Sequence, residues 1–123
     1  VKDLEKSNQL FASLFGEQHY KIEEVFSEGV KTSFFKSGPN KIELLEATNP
    51  ESPIAKFIAK KGEGIHHIAF AVDDIKAEIE RLKKEGFTVL NDVPKKGADN
   101  KLVAFLHPKS TNGVLIELCQ EIE

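Results

Sequence analysis

The feature that most constrains this chain is that it repeats itself. The opening stretch VKDLEKSNQLFASLFG (1–16) lines up with VDDIKAEIERLKKEGF (72–87), Val1 falling on Val72 and Leu4 on Ile75. Both read as helices begun by an acid, Asp3 or Asp74, and stopped by a glycine, Gly16 or Gly86. An apolar stripe marks each one: Leu4, Leu10, Phe11, Leu14 and Phe15 in the first, Ile75, Ile79 and Leu82 in the second. The echo returns at the far ends, where NKIELLEA (40–47) matches GVLIELCQ (113–120) and sets Glu43 over Glu117. Glu43 lies 42 positions after Val1, and Glu117 lies 45 positions after Val72. Two matches in register at nearly equal spacing imply two copies of one module.

Between these anchors the alternation predicts strands at 19–26, 30–36 and 41–47 in the first copy, and at 87–92, 101–107 and 114–120 in the second. Gly29, SGPN (37–40), KKGADN (95–100) and HPKSTNG (107–113) supply the turns. The link SPIAKFIAKKG carries Ser52 as N-cap, Pro53 at the first helical position and Gly62 as the stop. GIHHIAFA (64–71) opens the second copy as a strand. Its counterpart in the first copy is expected just before Val1, with a histidine five residues ahead of it. The expected fold is therefore α+β with two βαβββ modules in one domain of 123 residues. Module one spans 1–48 without its first strand, a connecting helix spans 51–62, and module two spans 64–121.

Bulk properties narrow the partners. Apolar residues make up 40% and charged residues 30% of the chain, and the net charge is −3 with no basic block, so a nucleic-acid partner is not expected. No apolar run is long enough to span a bilayer. The single cysteine, Cys119, cannot close an internal disulfide and suits a reducing, cytoplasmic setting. The chain starts at Val1 and holds no methionine, so its start is not expected to be the start of the gene, and a targeting segment upstream stays open.

The residues that invite chemistry are His67, Glu43 and Glu117. Alternation turns Glu43 and Leu45 to one face of their strand and Ile42 and Leu44 to the other; Leu115, Glu117 and Cys119 share a face opposite Val114, Ile116 and Leu118. A carboxylate on so apolar a strand is costly when buried without a partner. A divalent metal ion satisfies one histidine and two carboxylates together, and mixed N/O donors suit Zn, Co, Mn, Fe or Ni. By the same alternation His66 and His67 point to opposite faces. His19 and His107 read as structural or loop-borne, and Glu46 and Glu121 as solvent-facing.

These residues resemble a known family. SPIAKFIAKKGEGIHHIAFAVDDI (52–75), FLHPKSTNGVLIELCQ (105–120) and NKIELLEAT (40–48) are similar to methylmalonyl-CoA epimerases, members of the vicinal oxygen chelate (glyoxalase-like) superfamily. The resemblance covers nearly the whole chain. It implies a mixed sheet of two βαβββ modules curled around a metal site, with ligands from the first and last strand of each module. Carried over by motif, His67 and Glu117 are the second module's ligands and Glu43 the first module's weaker one; His66 becomes packing or support. The implied reaction interconverts (2R)- and (2S)-methylmalonyl-CoA by proton transfer at the carbon alpha to the thioester, with Glu117 and Glu43 as the catalytic pair. The divalent metal is implied to offset charge that develops on substrate oxygens. Some members carry a glutamate base after a Gly-Val pair; here GVKTSFF puts Thr32 there, which leaves that base unassigned.

Lys109, ahead of Lys95 and Lys96, is the candidate contact for the phosphates of the acyl-CoA substrate. A homodimer is expected from the superfamily. Two rival readings stand beside this one: glyoxalase I (lactoylglutathione lyase), with a similar metal site but different loops, and a metal-free binding protein of the same fold, against which His67 and Glu117 argue.

Overall fold

Both helices of the repeat start where an aspartate side chain satisfies a first-turn N–H group. In the computed structural model, which describes residues 1–122, Asp3 accepts from the Lys6 N–H and Asp74 from the Ala77 N–H. The chain divides into two units, Val1–Gly64 and a second that begins at Ile65.

In the first unit, α1 (Leu4–Phe15) ends at Gly16, whose φ of 75° is the left-handed conformation glycine adopts most easily. Three antiparallel strands follow in the order β1 (Lys21–Val25), β2 (Val30–Ser37) and β3 (Asn40–Ala47). Then comes α2 (Pro53–Lys61), where the Ser52 hydroxyl accepts from the Ile54 N–H. Leu4 and Ala12 of α1 pack with Phe35 and Leu44 of the sheet. The expected stripe was too wide. The buried face runs Leu4, Asn8, Ala12, four residues apart, whereas Leu10 and Leu14 are 66% and 69% exposed. Each lies two residues past a buried position, about 200° round the helix.

In the second unit the elements are β4 (Ile68–Ala71), α3 (Ile75–Lys84), β5 (Lys95–Lys96), β6 (Lys101–Leu106) and β7 (Ile116–Glu121). They form a mixed sheet in the order β4-β7-β6-β5, with β4 and β7 parallel and the other pairs antiparallel. Ile75, Ile79 and Leu82 of α3 cover Ala104, Leu106 and Leu118, so the predicted stripe of this helix is its buried face. Among the described residues the elements are those of an α+β chain with three α-helices and mixed pairing.

One predicted strand is absent. Residues 87–92 make only an isolated bridge, Val89 with Leu106, although Leu90 still donates to the Phe105 carbonyl and His107 to that of Thr88. Asn91 explains the break. Its side-chain oxygen accepts from the Phe105 N–H at 2.9 Å and its amide donates to the Val103 carbonyl at 3.2 Å. A carboxamide does there what a peptide group would do in a regular ladder, and pairing resumes at β5.

The repeat is written in hydrogen bonds as well as in letters. Val1 donates to the Leu45 carbonyl at 2.8 Å, and Val72 to that of Cys119 at 2.9 Å. The Leu4 N–H, at the head of α1, reaches Glu46 Oε2 at 2.7 Å; the Ile75 N–H, at the head of α3, reaches Gln120 Oε1 at 2.8 Å. Glu46 is thus a partly buried cap rather than the solvent-facing residue expected, because even positions on β3 look toward α1. Glu121 does face solvent, paired with Lys101 at 3.0 Å.

Candidate functional site

Sheet register puts each of the two glutamates directly across from a phenylalanine. Glu43 on β3 stands opposite Phe34 of β2, and Glu117 on β7 opposite Phe105 of β6. Leu44 and Leu118, one residue on, are buried with α1 and α3, so both glutamates point to the sheet face away from their helix.

In the second unit that face also receives His67. The parallel pairing of β4 with β7 sets Ala69 beside Glu117, and the backbone bond from Ile68 to the Leu115 carbonyl draws the histidines in behind it. His67 Nε2 lies 3.7 Å from Glu117 Oε1, with the two side chains only 13% and 16% exposed. The ring of Phe105 meets that of His67 nearly edge-on, with centroids 6.2 Å apart, and forms an apolar wall beside it. Burial lowers the His67 pKa to about 4, with His66 beside it adding to the effect. The imidazole is therefore neutral at pH 7, and its contact with Glu117 is not an ion pair at that pH.

His66 departs from the expectation of opposite faces. β4 begins at Ile68, so neither histidine belongs to the strand and alternation does not govern them. Their rings stand at 87° with centroids 5.3 Å apart, and the two Nδ1 atoms lie 3.0 Å from each other. Burial holds the His66 pKa below the ordinary histidine value.

Among the described residues no three His, Cys, Asp or Glu side chains gather into a group able to hold an ion. The second unit does bring together two donors suited to one. Ligands of a single ion with bonds of about 2.1 Å lie about 3.0–3.5 Å apart, close to the observed 3.7 Å, and a neutral imidazole with a carboxylate is a donor set such ions accept. Glu43, the third predicted ligand, sits exposed on β3 of the first unit.

The remaining candidates are placed as follows. Lys109 lies exposed in the short 3₁₀ turn Pro108–Ser110, which the His107 ring caps by accepting from the Lys109 N–H. Lys95 and Lys96 are the exposed pair of β5. Thr32 is 2% exposed at the centre of β2, between Glu23 and Leu45 in register. His19 packs its ring edge-on to Phe35. Sequence reasoning missed Phe105 and the bond between the histidines. The first was signalled by FLHPKS carrying its aromatic at the repeat position of Phe34; the second had no signal, since it depends on where β4 begins.

The family model of the Glyoxalase/Bleomycin resistance protein/Dioxygenase superfamily matches residues 1–105. An ethylmalonyl-CoA/methylmalonyl-CoA epimerase of Cereibacter sphaeroides is 42% identical over 122 residues, covering 98% of this chain and 91% of that protein. A crystal structure of a hypothetical protein from Bacillus halodurans C-125 superposes with a TM-score of 0.97 at 44% identity, over 100% of this chain and 89% of that one. A methylmalonyl-CoA epimerase solved in complex with methylmalonyl-CoA and NH4+ gives a TM-score of 0.89 at 32% identity, over 98% and 88%. Fold, register and likeness agree: the chain belongs to the Glyoxalase/Bleomycin resistance protein/Dioxygenase superfamily, among its methylmalonyl-CoA epimerase-like members.

Proposed function

We propose that this protein is an isomerase that interconverts (2R)- and (2S)-methylmalonyl-CoA by moving the proton on the carbon alpha to the thioester. The observation that carries the reading is the meeting of neutral His67 with the Glu117 carboxylate, 3.7 Å apart beside Phe105, in a chain so similar to named epimerases. His67, Glu117 and Glu43 are the proposed ligands of a divalent ion (Co, Mn, Zn, Ni or Fe). When bound, that ion would supply positive charge to offset the negative charge that develops on substrate oxygens.

The chain's own residues supply the rest. Glu117 and Glu43 are the proposed catalytic pair, one removing the alpha proton and the other returning it to the opposite face of the carbon. A carboxylate does this only while it is ionised, and the low exposure of Glu117 keeps bulk water from competing for the proton. Phe105 closes one side of the His67 ring and Lys109 offers an exposed ammonium to the phosphates of CoA. A homodimer and a cytoplasmic location complete the proposal; sedimentation equilibrium tests the first and cell fractionation the second. No helix among the described residues is long and apolar enough to cross a membrane.

The test is the reaction itself. Incubation of the metal-loaded protein with one epimer in D2O is expected to scramble the stereocentre and place one deuterium at C2, read by mass spectrometry. The hemithioacetal of methylglyoxal and glutathione, offered in parallel, is expected to remain unchanged. Turnover of the hemithioacetal without labelling of the acyl-CoA would mean the glyoxalase I reading is the right one, and turnover of neither, with no metal retained, the binding-protein reading.

A further inference from the structure

We infer that His66 is a positioning residue: its Nδ1 accepts a hydrogen bond from the Nδ1–H of His67 and so fixes which nitrogen of His67 is presented toward Glu117. The inference deepens the reading of His67 as a metal ligand and rests on it.

A neutral imidazole carries one N–H, and the nitrogen that bears it cannot also ligate. His67 Nδ1 is 3.0 Å from His66 Nδ1, within hydrogen-bond reach, whereas His67 Nε2 is 3.7 Å from Glu117 Oε1, beyond it. Two bare nitrogens at 3.0 Å would repel, so one of the two Nδ1 atoms carries the proton. With the proton on His67 Nδ1, the Nε2 lone pair is directed to the side where Glu117 and Phe105 lie. With the proton on His66 Nδ1 instead, His67 keeps its own on Nε2 and is blocked as a ligand there. The two rings, nearly perpendicular at 87°, hold this contact from adjacent positions only because the strand starts after them. Partners of this kind on ligating histidines set ring orientation and tautomer.

The experiment reads tautomer and metal uptake separately. Nitrogen-15 NMR of the histidine rings in the metal-free protein is expected to find His67 in the Nδ1–H form, with no substitution needed. His66→Phe, which keeps a ring but removes the acceptor, is expected to shift His67 toward the Nε2–H form and to weaken Co(II) binding by about 10- to 100-fold, read by titration of the visible absorption. His66→Asn, whose side-chain oxygen can accept in place of Nδ1, is expected to restore both readouts toward wild type. A wild-type His67 in the Nε2–H form overturns the inference. So does a His66→Phe protein that matches wild type in both readouts while cobalt still binds; then the metal reading stands and only the role of His66 falls. A wild-type protein that takes up no cobalt, with the tautomer shift nonetheless seen, overturns the ligand reading and with it the purpose assigned to the contact.

Discussion

Leu4 in the first unit and Ile75 in the second hold the same place at the head of their helices, both capped from the last strand of their own unit. Four residues on, the likeness stops: Asn8 is buried where the second unit has Ile79. On the sheets the contrast continues, for Thr32 and Ser33 are buried at the places that Val103 and Ala104 occupy in the second unit. The first unit compensates with aromatic mass: Phe34 and Phe35 are almost fully buried, and the ring of Phe15 packs 5.5 Å from that of Phe35. What the two units share is therefore a hydrogen-bonded scaffold and the placing of a glutamate across from a phenylalanine. The composition of the core is free to diverge around it.

The sharpest division of that comparison lies between the two glutamates. Glu117→Gln and Glu43→Gln each remove a proton acceptor while keeping shape, and each is expected to slow epimerisation by about 10²- to 10⁴-fold. Because Glu117 is the one beside His67, its substitution should also weaken Co(II) binding more than the substitution of Glu43 does. Rate and metal titration on both variants check this; a Glu117→Gln protein with full rate and full metal content would remove Glu117 from both roles. Next in size is the core. Ile79→Asn, which copies the first unit's residue into the second, leaves a polar amide among Ala104, Leu106 and Leu118 and should destabilise by about 4 kcal/mol in urea unfolding.

Helix faces tell why parts of this were legible in the sequence. In α3 the period of 3.6 was clean, with Ile75, Ile79 and Leu82 apolar and their neighbours charged, and the stripe matched the buried face. In α1 it was blurred, because Asn8 is inside and Leu10 and Leu14 are outside, so hydrophobicity alone mis-sorted them. The register of Glu43 and Glu117 followed from the repeat and from alternation, both local rules. The histidine pair did not, since β4 begins at Ile68, four residues later than the strand expected over 64–71. Nor did the break in the strand at 87–92, where a side chain impersonates the backbone.

That break is itself a difference between the units, because β1 pairs with β2 without interruption while the equivalent stretch of the second unit turns on Asn91. Asn91→Ala strands the Phe105 N–H and the Val103 carbonyl and is expected to cost about 2 kcal/mol of stability. Hydrogen exchange should show the Phe105 amide losing protection first; if it does not, the ladder does not depend on the carboxamide. The caps come next. Gln120→Ala and Glu46→Ala each free one N–H at a helix head and should each cost about 1 kcal/mol. Glu46 should be the larger of the two, because its carboxylate also meets the positive end of the α1 dipole and Gln120 carries no charge. Equal losses in 1 M salt with unequal losses in low salt would identify that excess as electrostatic.

The smallest effect should carry the opposite sign. Ser33 is fully buried and its hydroxyl finds no partner among the described residues, while the second unit holds Ala104 at the equivalent place, equally buried. An unsatisfied buried hydroxyl forfeits the hydrogen bonds it makes to water in the unfolded chain, and removing it leaves a void of only one oxygen atom. Ser33→Ala is therefore expected to stabilise the protein by up to about 1 kcal/mol, and Ala104→Ser to destabilise it by about 1–3 kcal/mol. Both are read as shifts of the urea midpoint at unchanged slope. The pair tests the comparison from its quiet end: if alanine at 33 costs as much as serine at 104, then the first unit does use that hydroxyl, and the unequal polarity of the two cores is not a burden on one of them.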